Sequence, residues 1–232
     1  MGAVNWERLG RAAGIGFVVF TVAAFIVGGE PPKVSDSADD VVSYFTDDRS
    51  QVLVSSFLFA VALVLFLWFA GTVANLLLQR GEGRVAATAL AAGTTWVVIQ
   101  LVLTAITAAL AHSIASDGDA TGARALFSLS WVLDMMGALP IAGFVLAVSL
   151  GLRRTHAIPQ WLSWGGLALA VLLALRSTTW ARDGFWSPTG EYLFIVIPVA
   201  LLFVLITSIV LVRASAGDEA AARSPDASVS TS

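Results

Sequence analysis

The sequence predicts an all-α protein in which about six apolar helices cross a lipid bilayer as a bundle. Hydrophobic residues make up 57% of the 232-residue chain and charged residues only 12%, whereas a soluble domain carries about 25% charged residues. The charges also lie in short clusters between apolar runs, and each run is long enough for the roughly 20 helical residues that span a bilayer. A soluble core does not require that spacing, but a bilayer does.

The predicted helices cover about residues 12–29, 52–78, 85–111, 125–152, 161–180 and 192–212. They must be helical because backbone groups inside lipid have to be hydrogen-bonded within their own segment. A membrane β-barrel would need alternating segments of about ten residues, and these runs show no such alternation. The transmembrane domain is therefore predicted over residues 1–213, followed by a disordered tail at 214–232 that has no apolar period.

The first apolar run admits two interpretations. Arg8 and Arg11 precede it, as basic residues precede the apolar core of a secretory signal peptide that is later removed. We favour a retained helix, because the run is longer than a usual signal core and no clean A-x-A cleavage site follows it.

The arginines predict the orientation of the chain. If the amino terminus is inside, the cytoplasmic segments carry Arg8, Arg11, Arg80, Arg84, Arg153, Arg154, Arg213 and Arg223. The outer segments carry fewer cations, namely Lys33, Arg49, Arg124 and Arg182. Because cytoplasmic loops of membrane proteins are enriched in Lys and Arg, both termini are predicted to be cytoplasmic.

A short amphipathic helix is predicted in the first outer loop. Ser37 and Asp40 have the spacing of a variant capping box, in which two side chains satisfy the backbone at a helix start. The residues at i, i+3, i+4 and i+7 then form one apolar face: Ala38, Val41, Val42 and Phe45. We expect this helix to lie on the outer surface of the bilayer, with its aspartates in water.

Asp134 and Arg176 are the leading candidates for a polar site within the membrane. Asp134 lies about ten residues from the outer end of the fourth predicted helix, which at 1.5 Å per residue is near the membrane's middle. A charge there costs at least about 2.5 kcal/mol, so an intramembrane acid indicates a functional site by default. Arg176, near the outer end of the fifth predicted helix, is the expected partner. Two interpretations stay open: a buried pair that fixes helix packing, which we favour, and a proton or cation relay.

Gln100 and Thr104 are further polar candidates, and they share one face of the third predicted helix with Thr107. Such a face makes hydrogen bonds between helices or lines a small cavity. Gly137 and Ala138 lie close to Asp134 on the fourth helix, and small residues of this kind let another helix approach closely.

Several classes of function are not indicated. The chain has no cysteine, which removes disulfides, iron–sulfur clusters and thiolate zinc sites. His112 and His156 are predicted on opposite sides of the bilayer, where they cannot share a metal or haem. Neither the H-E-x-x-H nor the G-x-S-x-G motif occurs. We therefore expect no cofactor, no metal site and no catalytic residue. The net charge of −3 without a basic stripe does not indicate nucleic-acid binding.

Three patterns resemble a family of actinobacterial polytopic membrane proteins of unknown function. They are Val41-Val42-Ser43-Tyr44-Phe45 followed by Asp48-Arg49, then Phe66-Leu67-Trp68-Phe69-Ala70-Gly71, and Ile158-Pro159-Gln160-Trp161-Leu162-Ser163-Trp164. The resemblance covers most of the chain from the first outer loop to the sixth helix. It implies a multi-pass topology and a plasma-membrane location, and it implies no activity.

The sequence favours a non-enzymatic membrane component with a structural or accessory role. The alternative is a small-solute or proton-coupled transporter that uses Asp134 and Arg176, and a weaker one is a sensor that uses the acidic outer helix. The lipid bilayer is the expected partner, and a membrane-protein partner or a second copy stays open. A polar pocket joining Asp134, Arg176 and Gln100 would favour transport, whereas tight packing around the pair would favour the accessory role.

Overall fold

The computed structural model describes residues 6–115, 119–181 and 183–222, and these residues form helices and turns without any β-strand. The predicted all-α helical bundle is confirmed. In chain order the helices are α1 Trp6–Gly28, α2 Ala38–Asp47, α3 Arg49–Gln79, α4 Gly83–Ala109, a π-helical turn Leu110–Ile114, α5 Ala120–Arg154, α6 Gln160–Arg176 and α7 Glu191–Ala222. Arg182 and Arg223 lie outside the described residues.

Five of the described helices are long and apolar enough to cross a membrane, namely α1, α3, α4 with its π turn, α5 and α7. Helix α6 is also apolar, but with 17 residues it is shorter than the predicted span 161–180. It ends at Arg176, and the following residues form turns that are closed by hydrogen bonds such as Thr178 N to Leu175 O.

Several other predicted boundaries differ from the structure, and helix α1, for example, begins at Trp6 rather than near residue 12. Helix α5 begins at Ala120 rather than near residue 125, because Asp119 caps it by accepting a hydrogen bond from the Gly122 amide. Helix α7 continues to Ala222, so it extends into the segment 214–232 that was predicted as a disordered tail. The helical part of this segment is rich in alanine, the residue with the highest helix propensity. Residues 223–232 lie outside the described residues.

The long helices pack as a closed ring in which neighbours run antiparallel. Helix α1 packs against α3, α3 against α4, α4 against α5, α5 against α6, and α6 against α7, which returns to α1. Glycines lie at the closest approaches, as where Gly10 faces Thr72 and Gly28 faces Ser55 between α1 and α3. At Gly166 of α6 an added Cβ would lie 2.0 Å from the Ser149 hydroxyl oxygen of α5. Only glycine permits the α5–α6 contact at this position.

An aromatic cluster forms the centre of the bundle. The ring of Phe66 on α3 lies 5.2 Å from that of Phe17 on α1, 4.7 Å from Trp96 on α4 and 5.0 Å from Phe144 on α5. Phe66 is fully buried. Edge-on and tilted ring pairs at these distances are favourable beyond the area that they bury, so the cluster fixes four helices against one another.

The outer surface of the ring is apolar as well. Large side chains such as Ile26, Phe57 and Phe194 are 76%, 68% and 68% exposed. A soluble protein rarely exposes large contiguous apolar surface. A surface of this kind suits helices that are surrounded by lipid.

Arginines gather at one end of the bundle, which we call the arginine-rich end. There the α3–α4 and α5–α6 connections meet: Arg80 donates to the Thr155 carbonyl at 2.9 Å, and Arg154 forms an ion pair with Glu82 at 3.3 Å. The first turns of α1 and the last turns of α7 lie at the same end, because Arg11 donates to the Leu211 carbonyl at 3.1 Å.

Helix α2 covers the opposite end, which we call the capped end. The predicted capping box is present: the Ser37 side chain accepts from the Asp40 amide, and the Asp40 carboxylate accepts from the Ser37 amide. The Ser37 hydroxyl also donates to the Asp40 carboxylate at 2.6 Å, and this hydrogen bond, together with the one from the Ser37 amide, lowers the pKa of Asp40. The expectation that the apolar face of α2 lies on the bilayer surface is wrong.

Instead, that face packs on the protein. Val41 and Phe45 are 1% and 2% exposed, and they form a second hydrophobic cluster with residues of α3, α5 and the π turn. Arg124 of α5 donates to the carbonyls of Val34 and Asp36, and Tyr44 donates to the Gly28 carbonyl at 2.9 Å. Burial raises the pKa of Tyr44. These contacts fix α2 as part of the bundle, with its aspartates facing outward.

Candidate functional site at the end of helix α6

Asp134 and Arg176 form the expected ion pair. The Arg176 guanidinium of α6 donates through Nη2 to Oδ2 of Asp134 on α5. The two side chains are only 10% and 13% exposed. The two opposite charges are therefore buried together, as a pair. A buried charge is tolerated when it has such a partner.

Gln100 completes the hydrogen bonding of the carboxylate. Its Nε2 on α4 donates to Oδ1 of Asp134 at 3.1 Å, and Gln100 is 5% exposed. Gly137 lies beside this contact: an added Cβ there would be in tight contact with Ile99 at 3.2 Å and in ordinary contact with the Gln100 amide nitrogen at 3.9 Å. Both carboxylate oxygens thus have a donor, each from a different neighbouring helix.

Thr104 does not use its side chain in this cluster. It is buried, and its hydroxyl donates to the Gln100 carbonyl one turn earlier in α4 at 2.7 Å. Thr107 likewise donates to the Leu103 carbonyl. Of the four polar candidates, three meet through their side chains, namely Gln100, Asp134 and Arg176.

The pair lies level with the last residue of α6. Arg176 ends that helix, where a cation interacts favourably with the negative end of the helix dipole. The segment that follows is held close by side-chain hydrogen bonds: Thr179 donates to the Arg176 carbonyl and Tyr192 donates to the Leu172 carbonyl, both at 2.7 Å. From Asp134 to Arg154, at the arginine-rich end of α5, the helix rises about 30 Å.

Two cavities lie at the ends of the bundle, and neither is lined by the Gln100–Asp134–Arg176 cluster. One, of about 330 Å³, is at the capped end and is lined by Glu30, Lys33, Asp183 and Glu191 among others. The other, of about 510 Å³, is at the arginine-rich end.

The larger cavity was not predicted from the sequence. It is lined in part by Arg153, Arg154, His156, Gln160 and Ser163. The sequence does contain a signal for it, because two arginines and a histidine stand immediately before an apolar helix. Their convergence on one cavity depends on the turn between α5 and α6.

The histidines lie at opposite ends of the molecule. His112 belongs to the π turn at the capped end, and His156 to the α5–α6 connection at the arginine-rich end. Among the described residues, no three His, Cys, Asp or Glu side chains are grouped as a metal site would require. What the Gln100–Asp134–Arg176 cluster offers chemically is a carboxylate that two neighbouring helices hold in place.

Comparisons of the chain with protein-family models, with characterised proteins and with solved structures gave no match.

Proposed function

We propose that this chain is a non-enzymatic component of an actinobacterial plasma membrane, with a structural or accessory role. In this proposal it crosses the bilayer six times with both termini in the cytoplasm, and α6 provides the short sixth span. The Gln100–Asp134–Arg176 cluster acts as a clamp that holds α6 to α4 and α5. The observation that carries the proposal is that both oxygens of Asp134 on α5 are occupied by donors, one from Gln100 on α4 and one from Arg176 on α6.

The length of α6 explains why such a clamp is useful. Its 17 residues rise about 26 Å, less than the roughly 30 Å of a hydrocarbon core. Asp134 lies about 30 Å from Arg154 along α5. If the arginine-rich end marks one boundary of the bilayer, the clamp lies near the opposite boundary rather than at the centre. There it joins the end of the shortest span to its longer neighbours.

The transporter alternative is less well supported by this geometry. A proton or cation relay needs a carboxylate that exchanges its partner with water or a solute. Asp134 is instead enclosed by an arginine and an amide, with about a tenth of the pair's surface exposed. The two cavities at the ends of the bundle are lined by other residues.

Carbodiimide labelling distinguishes the two functions. A hydrophobic carbodiimide adds to a protonated carboxyl group within a membrane and leaves a stable adduct that mass spectrometry locates. In proteoliposomes of the full chain, we expect Asp134 to stay unmodified, because Gln100 and Arg176 occupy both of its oxygens. Arg176→Leu should make Asp134 reactive, and Asp134→Asn should abolish the adduct. Rapid modification of wild-type Asp134 that rises as the pH falls would overturn the clamp and favour transport.

Cysteine labelling tests the orientation, because the natural chain has no cysteine. Asp39 on α2 and Arg84 at the start of α4 are both exposed and lie at opposite ends of the bundle. A membrane-impermeant maleimide should label Asp39→Cys in intact cells, and Arg84→Cys only after the cells are lysed. The reverse pattern would overturn the proposed orientation.

A further inference from the structure

The cavity of about 510 Å³ at the arginine-rich end has the chemistry of an anion site. It lies where α5 ends and α6 begins. Arg153, Arg154 and His156 line it, together with Gln160. The Arg153 guanidinium is held in position, because its central carbon lies 4.2 Å from the centre of the Trp164 ring. Arg154 also contacts Glu82 and is largely exposed, which leaves Arg153 as the positioned cation.

The amino terminus of α6 adds positive potential to the same cavity. Pro159 precedes the helix without a side-chain cap, and Gln160 is the first helical residue. Backbone N–H groups at an uncapped helix start carry partial positive charge and bind anions such as phosphate. The cation and the helix start therefore act on one small volume.

Ser163 offers a further hydrogen-bond donor beside the cavity. The residue belongs to the cavity wall and is 0% exposed, and its hydroxyl, like those of Ser149 and Thr207, has no hydrogen-bond partner among the described residues. A buried hydroxyl without a partner is energetically costly. A ligand oxygen in the cavity would accept the hydrogen bond that the protein leaves unmade.

The cavity also lies at a depth where phosphate groups occur. Trp161 and Trp164, in the first turns of α6, are 62% and 53% exposed. Exposed tryptophans concentrate at the boundary between hydrocarbon and headgroups, and basic pockets between helices on the cytoplasmic side bind anionic headgroups. Leu150 and Ile158 add an apolar part to the lining.

We propose that this cavity binds a net-anionic phosphate group, supplied by a phospholipid headgroup or by a free phosphate ester. Arg153 and the start of α6 neutralise its charge, and the Ser163 hydroxyl donates a hydrogen bond to one of its oxygens. The proposed membrane location bears only on the source of the phosphate. The chemistry of the cavity does not depend on the Gln100–Asp134–Arg176 clamp.

The thermal unfolding of the purified full chain in a zwitterionic detergent tests the proposal. It is measured with increasing short-chain phosphatidylglycerol, short-chain phosphatidylcholine or glycerol phosphate. We expect a saturable rise in Tm with phosphatidylglycerol and a much smaller one with phosphatidylcholine. An equal rise with glycerol phosphate identifies a soluble ester as sufficient, and a rise with the anionic lipid alone identifies the lipid as the source. Equal rises with both lipids, or no saturable rise with any anion, overturn the proposal.

Variants separate the site from general charge attraction. Arg153→Gln and Ser163→Ala should each raise the half-saturating concentration of the anion about tenfold, as expected when binding loses a hydrogen bond to a charged group. Arg84→Gln is the matched control, because Arg84 is an exposed arginine of the same end that does not line the cavity. Ser163→Ala should not lower the Tm of the unliganded chain, since its hydroxyl has no partner there. An equal loss in Arg84→Gln, or unchanged binding in Ser163→Ala, would show that the cavity is not the site.

Discussion

Replacing Asp134 with leucine would leave the Arg176 guanidinium buried at the end of α6 without its counter-charge. Both side chains are almost enclosed, at 10% and 13% exposed, so water can replace the lost partner only in part. Removing one member of such a pair typically costs about 3–5 kcal/mol. The Gln100 amide loses its acceptor in the same variant. We therefore expect Asp134→Leu to lower the free energy of unfolding by about 3–5 kcal/mol.

Arg176→Leu should cost less than Asp134→Leu. The stranded carboxyl group can take up a proton and stay hydrogen-bonded to Gln100, whereas arginine stays charged at any accessible pH. We expect a loss of about 1–3 kcal/mol, typical of a buried polar group that lacks one partner. Replacing both members removes both charges and is often nearly neutral. The double variant should therefore be more stable than the sum of the two single losses predicts, by at least about 2 kcal/mol.

The Arg154–Glu82 pair provides a matched control in the same chain. Its side chains are 61% and 24% exposed, and exposed ion pairs are worth about 0–1 kcal/mol. The same set of leucine variants at these two positions should show little coupling. Free energies of unfolding in mixed detergent, measured for both sets, give the two coupling energies directly. Additive losses at Asp134 and Arg176, or equal coupling in both pairs, would refute the clamp.

Three other predictions follow from packing and capping. Gly166→Ala should cost about 1–3 kcal/mol, because its Cβ would overlap a buried hydroxyl, whereas Gly165→Ala, with open space around it, should be neutral or slightly stabilising. Replacing Val41 and Phe45 with aspartate should detach α2 and make it sensitive to protease, since both side chains are buried in the second cluster. The start of α2 should lose hydrogen-exchange protection as the pH falls below about 4, because the lowered pKa of Asp40 stabilises the folded helix only while that carboxylate is ionised.

Each of these has a result that would contradict it. Equal Tm values for the two glycine variants would show that α5 and α6 are not in close contact at this position. Protease resistance of α2 in the double aspartate variant would show that Val41 and Phe45 do not hold this helix on the bundle. For the pH effect, Ser37→Ala removes the main cause of the shift, so exchange that is equally pH-dependent in that variant would exclude the capping box.

The helices themselves were predictable because their causes are local. A bilayer requires long apolar segments, and charges at their ends are visible in the sequence, so the all-α bundle followed from run lengths. The capping box at Ser37 and Asp40 depends on residues three apart, and the structure confirms it. The pairing of Asp134 with Arg176 was also expected, because a buried charge needs a partner and few candidates lie at a similar depth.

Other features depend on contacts between distant segments and were decided only by the tertiary structure. Helices that are apolar on all sides give no amphipathic period, so the sequence cannot say which face meets which neighbour. That Gln100 rather than Thr104 reaches Asp134 depends on the rotation of α4 against α5. The docking of α2 on the bundle depends on α5 extending beyond the span expected for it.

The end of α6 and the cavity beside Ser163 show the same limit. The sequence contains the apolar run, the two arginines and the histidine, since these are properties of single segments. Where the run stops being helical, and which hydroxyl beside a cavity is left without a partner, depend on how neighbouring helices fill the space around them. Local composition therefore determined which segments are helices and which of their ends carry the charged residues. Packing determined the depth of the clamp and the position of the phosphate site, because both are set by contacts between residues far apart in the chain.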